Sequence, residues 1–354
     1  MKKSIIISLI YSLLSCTTLV DDIPLSRFPD IRAKLVMSAF IAPNDTAIVV
    51  NLTESTPLFG SFKTNNDGPF YITPLGDTIY YDYNRNDIVK NAIVKISDGN
   101  KTINIPFDSN KNNYSIETRN FKIEAGQTYT LTAENNIGKV EATTKVPFEE
   151  IQINNFKIDT TNKLIDIFEE DSITKRYSQK KINTKGYKIQ YNWQDVFNIK
   201  NYYYLKGYLE YFQETPQITN NKDVIYIKSK IQTRIQWSNL YYDTKAFLDD
   251  FNKNGENIIG PVGEIYEISQ FGGFNISING KNYKAKPIEK DNRKMILQLY
   301  NLSKEFYAYQ ISLYKSIDGN DNPFAEPSPV FTNVKNGLGC FAGYTKTEVM
   351  VDLK

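Results

Sequence analysis

The chain has 354 residues, with 42 Lys plus Arg against 40 Asp plus Glu, no His and two Cys. Without His there is no Ser-His-Asp or Cys-His nucleophile, no His-ligated zinc and no imidazole acid or base. A balance so close to neutral also lacks the cationic excess that phosphate neutralisation needs, so no nucleic-acid partner is expected.

Residues 1–15 read as a signal peptide. Lys2-Lys3 precede an apolar run, Ile5-Ile6-Ile7, Leu9-Ile10 and Leu13-Leu14, which falls short of the roughly 20 residues a spanning helix needs. The run ends in Leu13-Leu14-Ser15-Cys16. That tetrad resembles a bacterial lipobox, which places Cys16 at the mature N-terminus with acyl chains on its sulfur and amine. Each buried methylene contributes about 0.8 kcal/mol, and two or more chains hold a protein stably on a membrane where one does not. A plain secretory signal with a chance cysteine is the alternative. Loss of residues 1–15 removes two lysines and leaves 40 basic and 40 acidic groups. Residues 16–33 then form a tether, in which Asp21-Asp22 is either a surface-export tag or a solvated stretch of linker.

Residues 34–147 predict an immunoglobulin-like β-sandwich. Leu35 to Ile41 and Ile48 to Leu52 are apolar-rich runs around an Ala42-Pro43-Asn44-Asp45 turn. Ala92, Val94 and Ile96 alternate up to Asp98-Gly99, and Ile103, Ile105 and Phe107 resume beyond it, which is a hairpin pattern. Tyr129, Leu131 and Ala133, then Val140, Ala142 and Thr144, flank a turn at Asn136 to Gly138. Short strands at this spacing are the sandwich signature, although the usual Cys-Trp-Cys core is missing. Pro147 marks the boundary, since proline cannot continue an interior strand.

Residues 148–354 predict a larger β-rich domain with one or two short helices. Ile151 to Ile158 suggests a strand, Leu164 to Phe168 a second short one, and the polar stretch from Glu169 to Gly186 a long loop. Tyr187, Ile189, Tyr191 and Trp193 alternate, Tyr202 to Phe212 is very aromatic, and Val224 to Trp237 continues the strand pattern. Ile276 and Ile278 meet Tyr283 across Asn279-Gly280, a second hairpin. Phe247, Leu248 and Phe251 behind Asp243 suggest a short helix. Leu302, Phe306, Tyr309 and Leu313 recur at helical spacing behind an Asn301 cap, with Asp318-Gly319 as the stop. Cys340 sits among apolar neighbours and reads as a small buried hydrophobe. With Cys16 acylated it has no disulfide partner.

The tail, Asn322-Pro323-Phe324-Ala325-Glu326-Pro327, Val330 and Asn333 to Tyr344, together with the lipobox and the helix before it, resembles a Bacteroidota outer-membrane lipoprotein family. That family is catalogued as domain of unknown function forty-two forty-nine. Leu35-Val36, Pro57-Leu58-Phe59, Ala92-Ile93-Val94 and Ala125 to Tyr129 carry the resemblance upstream. It implies a lipid-anchored outer-membrane protein, on its periplasmic or cell-surface face, often encoded beside a TonB-dependent receptor barrel. It supplies no catalytic residues.

No cofactor, metal or enzymatic activity is expected. Glu169-Glu170-Asp171 and Asp249-Asp250 are the densest acid clusters, but sequence neighbours do not show the separation across a sugar that glycoside hydrolysis requires. Asp318 to Asn322 comes nearest to a calcium loop and lacks its closing acid. Four Asp-Thr or Asp-Ser triplets, at Asp45, Asp77, Asp159 and Asp171, resemble short O-glycan acceptors and equally fit plain turns. The aromatic residues of the second block exceed what one strand face buries. Tyr202, Tyr204, Trp237, Tyr241 and Tyr242 are therefore the candidate binding residues, because a broad apolar face with a polar tip suits recognition. The expected function is a non-enzymatic lipoprotein that accompanies a TonB-dependent receptor in nutrient capture or uptake. A structural or adhesive envelope lipoprotein is the alternative.

Overall fold

The computed structural model describes residues 33–55, 71–72, 78–79, 88–148, 151–170, 177–219, 223–237, 246–266, 276–278, 281–283, 286, 293–320 and 328–353. Cys16, Asp21, Asp22, Asp171, Tyr241 and Tyr242 lie outside them.

In the first block, β1 (Leu35–Ile41) and β2 (Ala47–Glu54) pair antiparallel across the Pro43-Asn44 turn. Period two holds along β1: Leu35, Met37, Ala39 and Ile41 are buried. Two-residue strands β3 (Tyr71–Ile72) and β4 (Thr78–Ile79) pair with each other. β5 (Ile93–Ser97) and β6 (Thr102–Ile105) form the expected Asp-Gly hairpin. There Asp98 Oδ1 accepts from the backbone N–H groups of Asn100 and Lys101 at 2.9 and 2.7 Å, and Gly99 takes φ of 92°, which glycine adopts without a Cβ clash.

Phe107 is not the end of β6. Pro106 interrupts the ladder, and β7 (Phe107–Asp108) crosses to the other sheet to pair with β8 (Asn113–Glu117). β9 (Thr128–Glu134) and β10 (Lys139–Lys145) complete the facing layer, in the order β10-β9-β5-β6. The core between the layers has neither the disulfide nor the Trp of an antibody domain: Met37, Val50, Ile96, Leu131 and Ala133 are at most 2% exposed and pack with the rings of Tyr114, Phe121 and Tyr129.

The second block opens with β11 (Ile153–Glu170) and β12 (Tyr177–Gln194), paired from Ile153 opposite Trp193 to Glu170 opposite Tyr177. The loop expected over Glu169 to Gly186 is thus strand at both ends, and Leu164 to Phe168 is part of β11. Cross-strand pairing satisfies the backbone at both ends of this stretch, whose polar composition carries no apolar alternation for sequence reading to find.

β13 (Tyr202–Ile218) pairs with β14 (Val224–Arg234), β15 (Phe247–Asp249) and β20 (Arg293–Leu302). The helix expected at Phe247 is therefore a strand. Three apolar residues do not offset the cost of helix nucleation, whereas the Tyr202–Tyr204 edge offers ready hydrogen bonds. β16 (Asn257–Ile259) and β17 (Gly263–Tyr266) pair with β12. β18 (Ile276–Ile278) and β19 (Lys281–Tyr283) form the expected hairpin. Helix α1 spans Lys304–Asn320. Its cap is Ser303, two residues beyond the expected Asn301: Ser303 Oγ accepts from Phe306 N–H at 3.3 Å, and Leu302 belongs to β20. The helix runs on through Asp318-Gly319.

The final strand, β21 (Leu338–Leu353), lies antiparallel to β20 and parallel to β1, with Val36 opposite Leu338 and Ile41 opposite Gly343. One nine-stranded sheet, β14-β13-β20-β21-β1-β2-β8-β7 with β15 beside β13, therefore runs through both blocks. Phe341 and Val334 from the tail are buried in the first block's core.

Candidate functional site

Alternate residues of β13 face opposite layers, which accounts for its aromatic excess. On one face Tyr203 meets Trp193 of β12 edge-on at 5.1 Å, and Trp193 stacks with Tyr191 at 5.9 Å. The other face lies under α1. Phe247, Tyr204, Tyr300, Tyr344, Phe306 and Phe40 run across it as a ladder of ring pairs, with centroids 4.3 to 5.9 Å apart. Such pairs add about 0.5–1.5 kcal/mol each beyond area burial.

These layers separate the candidate aromatics. Tyr204 is fully buried against Phe247, and Trp237 is buried edge-on to Tyr191 at 5.5 Å, so neither turns a face to solvent. Tyr202 is half-buried at the start of β13, 4.7 Å from the ring of Tyr307. Two clefts, each of about 460 Å³, meet at Tyr202 and Lys304. The first lies between the end of β10, the segment before β13 and the start of α1, and is walled by Phe148, Ile199 and Leu302. The second follows α1 past Tyr307 and Ile311 to Phe331. Phe148 is 68% exposed and Ile199 47%, so the first cleft presents apolar side chains to solvent.

Acidic groups build the scaffold of this region. Asp250 is buried; its Oδ2 accepts from Asn201 N–H at 2.8 Å, and its other oxygen pairs with Lys200. Asp249 lies 3.5 Å from the same ammonium. Against a desolvation that lowers it, these two carboxylates hold Lys200 above the usual lysine range. Asp195 accepts from Gly255 N–H at 2.8 Å and from the Tyr203 hydroxyl. Burial first, then the hydrogen bond to Asp195 and its charge, push the Tyr203 phenol far up. The Asp249-Asp250 pair thus holds the loop between β12 and β13, while Glu169 and Glu170 sit at the far tip of β11.

The arrangement is suited to binding. Within the first cleft the acid is Glu305, whose Oε2 lies 3.5 Å from Thr144 Oγ1. Among the described residues no group of three or more Cys, Asp or Glu could hold a metal ion. Phe148, Ile199, Tyr307 and Phe331 escaped sequence reading. The signal for part of this wall was present in Lys304, Tyr307, Ile311 and Lys315, a stripe on α1 whose two apolar members also pack against the core.

Among curated proteins none matches this chain. The model of one family matches residues 22–349, nearly the whole length, and the chain belongs to that family, described as Domain of unknown function (DUF4249).

Proposed function

We propose that this protein is a non-enzymatic lipoprotein, anchored in the outer membrane through acyl chains on Cys16, that accompanies a TonB-dependent receptor in nutrient capture or uptake. The observation that carries the reading is the pair of joined clefts at Tyr202, open to solvent and walled by apolar side chains. Support also comes from the lipobox and from the missing imidazole chemistry. No helix among the described residues is long and apolar enough to cross a membrane; in this reading the lipid on Cys16 supplies the attachment.

Affinity purification of a tagged copy from detergent-solubilised membranes tests the partnership. Recovery of a large β-barrel protein supports it, and repeated recovery of the tagged protein alone counts against it. Deleting the gene separates this reading from an adhesive or structural role. Slower growth on a single nutrient supports capture, whereas altered adhesion or envelope integrity with unchanged growth supports the other. The anchor is tested by Cys16→Ser, which should move the protein from the membrane to the soluble fraction.

A further inference from the structure

The two clefts share Tyr202 and Lys304 and so adjoin; taken together as one groove, they carry an uneven charge. Among the described residues the groove is lined by Lys145, Lys200, Lys304 and Lys315 and by one acid, Glu305. Lys200 is engaged by Asp249 and Asp250. Lys145, Lys304 and Lys315 are exposed and make no ion pair among the described residues. The floor between them is apolar and aromatic: Phe148, Ile199, Tyr202, Tyr307, Ile311 and Phe331. From Lys304 to Lys315 the helix side alone runs about 17 Å at 1.5 Å per residue, and extended chain covers about 3.3 Å per residue. The second cleft therefore seats about five residues of extended peptide, and the first adds more.

We infer that the groove binds an extended acidic peptide segment of a partner protein, its aromatic or aliphatic side chains on the floor and its carboxylates against Lys145, Lys304 and Lys315. This rests on the reading of the clefts as a docking site. Charge complementarity favours such a segment over a neutral glycan, which leaves three unpaired ammonium groups unanswered.

Full-length protein in detergent, titrated into a fluorescein-labelled octapeptide of Asp and Glu alternating with Phe and Leu, tests the assignment by anisotropy. Saturable binding that weakens as salt rises is expected. The same peptide with Lys replacing each acid should bind at least about tenfold more weakly. The paired change Lys304→Glu and Lys315→Glu should cost a similar factor. Lys304→Glu puts an acid in the first turn of α1, which favours the helix, so lost affinity with unchanged circular dichroism reports the groove. Equal binding of the basic peptide, unchanged affinity of the double variant, or displacement of the peptide by maltoheptaose overturns the inference. Barrel co-purification fails separately. A barrel recovered equally with the double variant defeats the groove and leaves the proposed function standing. Peptide binding without any co-purifying barrel does the reverse.

Discussion

The Tyr344 hydroxyl lies 3.1 and 3.0 Å from the two carboxylate oxygens of Asp45, a residue 299 positions away. It ties the β1–β2 turn to the final strand. Burial holds the Asp45 carboxyl above its ordinary value, outweighing the Tyr344 bond and the Lys346 charge that lower it. Burial and then the Asp45 charge push the tyrosine up in turn.

Tyr344→Phe should destabilise the protein by about 1–3 kcal/mol at pH 7, the usual cost of taking its donor from a partly buried carboxylate. The sign with pH follows from the raised carboxyl. A folded state that binds this proton more tightly than the unfolded chain is favoured in acid and loses that advantage as pH rises through the folded value. Removing the Tyr344 bond raises the folded value further, so the deficit should be larger at pH 7 than at pH 4. Urea unfolding of both proteins at the two pH values measures it; a deficit that grows toward acid contradicts the assignment.

Gly339 has φ of 101°, and an added Cβ would drive into the Met37 carbonyl oxygen of the paired strand β1. Backbone on both sides leaves nothing to give way. Gly339→Ala should cost at least about 3 kcal/mol and lower the thermal midpoint or the soluble yield sharply. Gly99→Ala, also at positive φ but in open space, should cost only about 1 kcal/mol.

Ser303 caps α1 through Phe306 N–H. Ser303→Ala should therefore cost about 1 kcal/mol, whereas that capping term is untouched in Asn301→Ala. Helix amide protection by hydrogen exchange distinguishes them: fraying of the first turn of α1 is expected in the serine variant alone.

Cys340 is fully buried, with Sγ 3.7 Å from the Glu305 carbonyl oxygen. Burial pushes its thiol well up, with a further push from the Glu305 charge. Since thiolate is the reactive form, Cys340 should resist iodoacetamide in the native protein and react fully in urea. Rapid native labelling would place it nearer the surface.

Local pattern was enough for the elements that carry their own signal. Period two and turn residues mark β1, β2, β5, β9 and β10, and two Gly turns mark their hairpins, because side-chain alternation and φ are properties of neighbours in sequence. Of the stripe expected on α1, Phe306 and Tyr309 pack inward while Leu302 belongs to β20, and the His count alone removed imidazole chemistry. Tertiary structure decided the rest. Phe247 became a strand because β13 offered it an edge. The outer halves of β11 and β12 are held by pairing that hydropathy does not encode. Tyr204 and Trp237 were lost to the core because both faces of the sheet are covered, and Tyr202 stayed open because it lies where the layers end. β21 joins β1 over some 300 residues of chain, and the groove exists only where β10, β13 and α1 converge. Contacts between distant segments depend on how whole layers pack, and no stretch of a dozen residues contains that information.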